Sequence, residues 1–437
     1  MREFKSELIP DKDIYTTAVH ADSTMSTIPG PTSFPIVGNL LQLRKAKVGQ
    51  HYEFYLDLAK QYGEIYRLFI GRQLIVRLNS TDIIREAFLE NADVFGGRKD
   101  FLLNGGRGLL CSSGESYRQL QSVFKEKMMN FETVVSDKRT YEDIYLSETQ
   151  HLKEYLNESQ QSPIEISQLL VAANLNIILN ILFGIRYDYE DDTLKDMSDA
   201  EIIFSKDQPP ISILEFLFPF LKPLLGNLEQ TTPQKTLSSL IEAEIKKCKE
   251  SFDKDNIRGL CDMFILAGNN EEITGETFSE NNILCAFFDI VISICNIGVL
   301  LSWCIVYMVK FPEIQRKCRD EINMVVGSKR TVKLANRGDM NYNQATIKEI
   351  SLQSNVVPIF VPRIATADGY LRGHFIPEGS RRCLGATIAD DVSFLMFTNL
   401  LQNFAIDKYC EKDDFDFKAH LGFIMSTPNF RFRTLFE

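Results

Sequence analysis

Eight consecutive residues, Gly379-Ser380-Arg381-Arg382-Cys383-Leu384-Gly385-Ala386, set a thiol between two glycines directly ahead of a long helical pattern. Free backbone N–H groups at a helix start stabilise a thiolate, and glycines on either side let a flat cofactor approach the main chain. Two readings of Cys383 follow. It is a plain structural thiol, or it is the axial ligand of a haem iron, to which a thiolate donates electron density that favours O–O cleavage. The spacing G-x-R-x-C-x-G leaves both open, so its surroundings decide. Other chemistries find less support. The five histidines (20, 51, 151, 374, 420) stand outside metal-ligand spacing of one another, and the nine cysteines contain no C-x-x-C pair. Gly105-Gly106-Arg107-Gly108 lacks the G-x-x-x-x-G-K order of a phosphate loop.

The elements that must position Cys383 are mostly helical. Apolar periodicity predicts helices over about 52–62, 80–90, 115–130, 139–157, 165–184, 226–252, 278–309, 311–326, 343–352 and 385–403. Alternation in 64–71 and 73–79 predicts a hairpin of two short strands, and 360–375 reads as strand and turn. With 437 residues, 44% hydrophobic and 24% charged, the chain is long enough for a substantial core. No repeat or low-complexity linker divides it. We therefore expect a mostly α fold with a small β part in one large domain over 29–437, preceded by a disordered segment over 1–28 that shows no membrane anchor. The stretch Ile283 to Val309 is interrupted by Asp289, Ser293, Asn296 and Ser302, which favours a buried core helix over a membrane span. A net charge of −11 argues against nucleic acid as a partner.

The motifs around Cys383 resemble the cytochrome P450 family, in its microsomal drug- and steroid-type branch. The resemblance runs from about Pro29 to about Lys418. It rests on PGPTSFPIVGN, NADVFGGRKDF, the G-x-x-aromatic helix start from Gly114 to Tyr117, MVKFPEIQRKCRDEINMVVG, MNYNQATIKEI, NVVPIFVPR and RRCLGATIAD, followed by helix residues Phe397 to Gln402. It implies the family's mostly helical fold and a haem whose iron takes the thiolate of Cys383. Arg98, Arg363 and Arg381 fall where members of this branch contact the haem propionates, a task suited to a planar guanidinium. Gly379 and Gly385 flank the ligand. It further implies a monooxygenase that hydroxylates an apolar small molecule with electrons from a reductase. Such a protein sits on the cytoplasmic side of the endoplasmic reticulum membrane, with peripheral contact through the aromatic-rich stretch Pro209 to Leu225.

Departures from the family gather at the chemistry. In the central helix the acid and alcohol that deliver protons are replaced, in either of two registers, by Cys295 and Asn296 or by Asn296 and Ile297. The E-x-x-R pair becomes Glu349 and Leu352, and the meander ahead of the cysteine loop is missing, so Glu349 loses both cationic partners and is expected to be exposed or neutral. Tyr117 and Gln121 stand where relatives carry Trp and Arg. The sequence alone thus predicts a monooxygenase by resemblance with impaired activity. The alternative is a catalytically inactive relative, haem-free or haem-binding only, or the product of an incomplete gene model.

Overall fold

The computed structural model describes residues 15–19, 28–43, 51–71, 73–91, 95, 97–98, 106–158, 164–206, 232–270, 273–357, 363, 368–371, 374–377, 385–408, 420–421, 425–426 and 431–435. Fourteen helices are used below: α1 (Leu40–Leu43), α2 (His51–Tyr62), α3 (Thr81–Arg85), α4 (Gly108–Cys111), α5 (Gly114–Val134), α6 (Tyr141–Glu158), α7 (Ile166–Phe183), α8 (Asp192–Lys206), α9 (Thr232–Glu250), α10 (Leu260–Asn269), α11 (Glu280–Lys310), α12 (Pro312–Val325), α13 (Asn341–Ser354) and α14 (Ala386–Asn403). The protein is mostly α, as its periodicity predicts.

The core is organised around α7 and α11. Nearly every residue of α7 from Leu169 to Phe183 is buried, which an all-round apolar sequence requires. The helix stops at Gly184, whose φ of 70° places it in the left-handed region that glycine adopts without penalty. Where α11 crosses α7, Gly298 lets the two backbones meet: a Cβ there would stand 3.1 Å from Val171 Cα and 3.2 Å from the Leu170 carbonyl oxygen. An aromatic cluster ties in two further helices. Phe124 of α5 lies 4.5 Å from Phe264 of α10 and 5.9 Å, edge-on, from Phe287 of α11, while Phe183 of α7 meets Phe287 at 5.9 Å. Edge-to-face pairs of this kind add about 1 kcal/mol each beyond their buried area. At the far end of α11, Phe311 interrupts the helix and Pro312 opens α12, where its missing N–H costs nothing.

The β part is small and antiparallel. Strands β1 (Tyr15–Val19), β2 (Ile65–Ile70) and β3 (Gln73–Leu78) form a sheet in the order β1-β3-β2, over a second apolar cluster built from Ile28, Ile65, Leu74, Val76, Leu78, Ile83, Ala87 and Phe95. A second sheet joins β4 (Ile164–Glu165), β10 (Arg431–Leu435) and β7 (Ala405–Lys408). Two hairpins complete it: β5 (Asp368–Leu371) with β6 (His374–Pro377), and β8 (His420–Leu421) with β9 (Met425–Ser426). Only residues 378–385 separate β6 from α14.

The structure differs from the sequence reading in three places. Tyr-Thr-Thr-Ala-Val at 15–19 pairs along the whole of β3, inside the stretch 1–28 expected to be disordered, because a β-branched run meets an otherwise open strand edge. Helix α8 was not anticipated, since among the described residues of its mostly polar sequence the buried apolar ones are Leu194, Met197 and Ala200 alone, beside buried Ser198 and Glu201. Helix α10 is too short to show a period. The helix expected over 226–252 is described from Thr232 to Glu250, and 226–231 lie outside the described residues. Both α7 and α11 are long and apolar enough to cross a membrane, but both are mostly buried inside the protein.

Candidate functional site

Gly379, Arg381 and Cys383 lie outside the described residues. What is described is the frame on either side of them. Gly385 precedes α14 with φ −91° and ψ 9°, and no side chain caps the helix. Among the described residues the first-turn N–H groups of α14 meet no side-chain cap, the condition under which a nearby thiolate is electrostatically favoured.

Arg98 is fixed at the start of α5. Its backbone N–H donates to Ser113 Oγ at 2.9 Å, the Ser113 hydroxyl donates back to the Arg98 carbonyl at 3.2 Å, and Arg98 Nε donates to the Leu110 carbonyl at 3.0 Å. The Leu110 N–H in turn donates to Asp289 Oδ2 of α11 at 2.7 Å, and the Gly108 N–H donates to Asn282 Oδ1 at 2.7 Å. Arg98 is thereby linked through α4 to the central helix. The contact is close enough to demand glycine at 108, with φ +79°: a Cβ there would meet Asp289 Oδ2 at 2.3 Å and the Cys285 backbone at 2.9 Å. Burial pushes the Cys285 thiol beside it up to about 11, and the Asp289 carboxylate adds to the shift.

One turn into α5, Gln121 Nε2 donates to the Tyr117 hydroxyl at 2.8 Å. The two residues that the resemblance sets where the branch carries Trp and Arg bond to each other. Arg363 is buried, with its guanidinium 4.0 Å over the Phe88 ring, a cation–π arrangement that holds the charged plane in place.

The two sides of α11 differ in burial. Val291, Ile294, Ile297 and Gly298 are buried, whereas Ser293 is exposed and Ile290, Asn296 and Leu300 are half-buried, one open stripe at helical spacing. Asn296 lies on this stripe. Its Oδ1 is a buried atom that meets no hydrogen-bond donor among the described residues. Of Cys295 only the backbone is described, within α11. Ser293 was passed over as a mere interruption of an apolar run. Its hydroxyl donates to the Asp289 carbonyl at 2.6 Å, and the signal that would have found it is the seven-residue step from Ser293 through Asn296 to Leu300.

On α13, Glu349 is half-buried and its Oε1 accepts from Gln353 Nε2 at 3.0 Å, while Leu352 is 68% exposed. Tyr307 of α11, near Glu349, has its hydroxyl pushed up to about 12, chiefly by burial.

The residues present fit a haem in donor type: two described arginines, an uncapped helix start behind the thiol, and an open stripe on the central helix that carries an orphaned amide oxygen. The comparisons agree. The family model of cytochrome P450 matches residues 28–380. Cytochrome P450 2K6 of Danio rerio is 28% identical over 458 residues, covering 90% of this chain and 88% of that one. Cytochrome P450 2G1 of Rattus norvegicus is 29% identical over 372 residues, with 80% and 72% covered, and cytochrome P450 2B4 of Oryctolagus cuniculus is 27% identical over 456 residues, with 92% of each chain covered.

Proposed function

This chain belongs to the microsomal branch of the cytochrome P450 family, and from that premise we propose that it is a haem-thiolate monooxygenase with a weakened hold on its cofactor and impaired activity. Cys383 would hold the haem iron through its thiolate, Gly379 and Gly385 would leave room for the ring beside the main chain, and Arg98, Arg363 and Arg381 would pair with its propionates. When bound, haem would supply the oxygen-activating chemistry of a monooxygenase toward an apolar small molecule, with electrons from a reductase. The Arg98–Leu110–Asp289 chain of hydrogen bonds carries the reading, because it holds a propionate-type cation at a set place between α5 and α11.

The weakening lies at positions 117 and 121, where the resemblance leads one to expect Trp and Arg: Gln121 carries no charge, and its Nε2 donates to the Tyr117 hydroxyl. Each charge-assisted bond lost in this way costs about 1.5–3 kcal/mol. In either register, Cys295 and Asn296 or Asn296 and Ile297, α11 offers neither a carboxylic acid nor an alcohol at the positions where the family carries them. Asn296 can hold a water molecule or a polar group of the substrate through its unmet Oδ1. That atom also favours a second reading, in which haem and an apolar ligand are bound without turnover.

The carbon monoxide spectrum of the reduced protein tests the assignment. A red-shifted Soret band that disappears in Cys383→Ala supports it, and a purified protein that contains no haem and takes none up sinks it. Substrate hydroxylation with a reductase present then separates the impaired enzyme from the inert binder. Peripheral contact with the endoplasmic reticulum membrane from the cytoplasmic side is part of the same proposal. The stretch 209–225 lies outside the described residues, but Phe34, Ile36 and Leu41 are exposed apolar side chains close together in sequence. Flotation with phosphatidylcholine vesicles should weaken in the double variant Phe34→Ser, Ile36→Ser.

A further inference from the structure

The chain that follows α12 gathers exposed cations and exposed hydroxyls outside any helix. Ser328, Lys329, Arg330, Thr331 and Lys333 are all exposed around a buried Val332, and the run holds no carboxylate. Two side chains of α14 grip it. Gln402 Nε2 donates to the Gly327 carbonyl and to the Arg330 carbonyl, each at 2.7 Å, while the Val332 N–H donates to Asn399 Oδ1 at 3.2 Å and Asn399 Nδ2 donates to the Val332 carbonyl at 3.1 Å. Between these grips, the amides of residues 328–331 and the Thr331 hydroxyl meet no hydrogen-bond partner among the described residues. Little backbone bonding therefore has to break for this run to enter an extended groove on another protein. Ser136 shows the contrast. It too has a Lys two residues on, but its hydroxyl donates to the Asp255 carbonyl at 3.4 Å and accepts from the Ile257 N–H at 2.7 Å, so its oxygen is already engaged.

We propose that Thr331 is a phosphorylation site for a serine/threonine kinase with an acidic peptide groove, and that its phosphate draws Arg330 off the end of α12. Lys329 and Arg330 precede the Thr331 hydroxyl and Lys333 follows it, so Thr331 presents cations on both sides where Ser328 has them on one. Carboxylates in such a groove select that pattern by charge. Thr331 Oγ1 takes the γ-phosphoryl group of ATP: the new O–P bond forms as the bond to ADP breaks, and the hydroxyl proton passes to the catalytic aspartate of the kinase. The phosphate brings close to two negative charges. Arg330 Nε donates to the Val326 carbonyl at 3.0 Å and its Nη2 to the Val325 carbonyl at 3.4 Å, closing the last turn of α12. A guanidinium pairs more strongly with phosphate than with a neutral carbonyl, so the modified residue takes Arg330 from these carbonyls and loosens that turn.

The full-length folded protein, incubated with ATP and the catalytic fragment of protein kinase C, which favours basic residues around its acceptor, is digested and mapped by mass spectrometry. The peptide that contains Thr331 should gain one phosphoryl group, placed on Thr331 by fragmentation. Thr331→Val should lose that gain and Ser328→Ala should keep it. Amide hydrogen exchange over residues 322–326 should then run faster in the phosphorylated protein than in the untreated one. Phosphate on Ser328 or elsewhere with none on Thr331 overturns the proposal, as does a map with no phosphate at all. A protein labelled at Thr331 whose exchange at the end of α12 is unchanged overturns the part given to Arg330. The wild-type map decides the site even where a variant does not fold.

Discussion

The two faces of α11 live under different constraints. Toward α7 the helix is packed to the last methyl: Gly298 faces Val171 Cα at the distance a Cβ would need, and Val291 and Ile294 are buried. On the opposite stripe Ser293 is exposed and Asn296 and Leu300 are half-buried. Dense packing penalises any change of volume on the first face, because no neighbour can move away. The second face is packed less tightly among the described residues: Ile290 and Leu300 are only partly buried against the core, and Ser293 is exposed. The packed side of α11 thus keeps the density a core helix needs, while the open side carries the polar residues Ser293 and Asn296.

The largest expected effect falls on the packed face. Gly298→Leu drives a side chain into the backbone of α7 and should destabilise the protein by about 3 kcal/mol, read from chemical denaturation. If that loss is under about 1 kcal/mol, the two faces do not differ in the way described. Next comes Cys285, on the side of α11 that receives α4. Its folded thiol sits at about 11 against 9.0 in the unfolded chain, so its contribution is fully present below pH 9 and is lost as pH rises toward 11. That loss amounts to about 2–3 kcal/mol at most. Denaturation midpoints between pH 8 and pH 11 should fall less steeply in Cys285→Ala than in the wild type.

A smaller effect is expected where the chain meets the propionates. Arg98→Ala should weaken haem retention by about 2 kcal/mol, roughly 30-fold, measured by transfer of haem to apomyoglobin. Gln121→Arg, which breaks the pairing with Tyr117, should act in the opposite direction. The smallest effect belongs to the open stripe. Ser293→Ala removes only a bond to its own helix backbone and should change stability by less than about 0.5 kcal/mol. A larger change there would show that the stripe is packed after all.

What was legible in the sequence follows the same division. Helices α5, α7, α11 and α14 announce themselves because buried apolar residues must recur at the helical period, and the α5 and α7 boundaries fall within a few residues of the expected ones. Helix α8 was missed because only three of its described buried residues are apolar. At the site, the sequence pointed to Arg98, Arg363, Asn296, Glu349 and Leu352 by resemblance. It was silent on what joins them. The path from Arg98 through Leu110 reaches Asp289 nearly 180 residues on, and both of its links run through backbone groups of Leu110 that carry no residue signature. The Tyr117–Gln121 bond was readable in principle, since residues four apart on a helix face one another.

The strand Tyr15–Val19 has a practical bearing on how the protein is handled. It is the outer member of the β1-β3-β2 sheet, so β3 is an interior strand only while it is present. Shortening the chain to start at Pro29, where the P450 resemblance begins, would strip that cover and leave a row of unpaired amide and carbonyl groups along Gln73–Leu78, a template for intermolecular strand addition. Expression at full length should give monodisperse material where the trimmed version forms higher-order species on a sizing column.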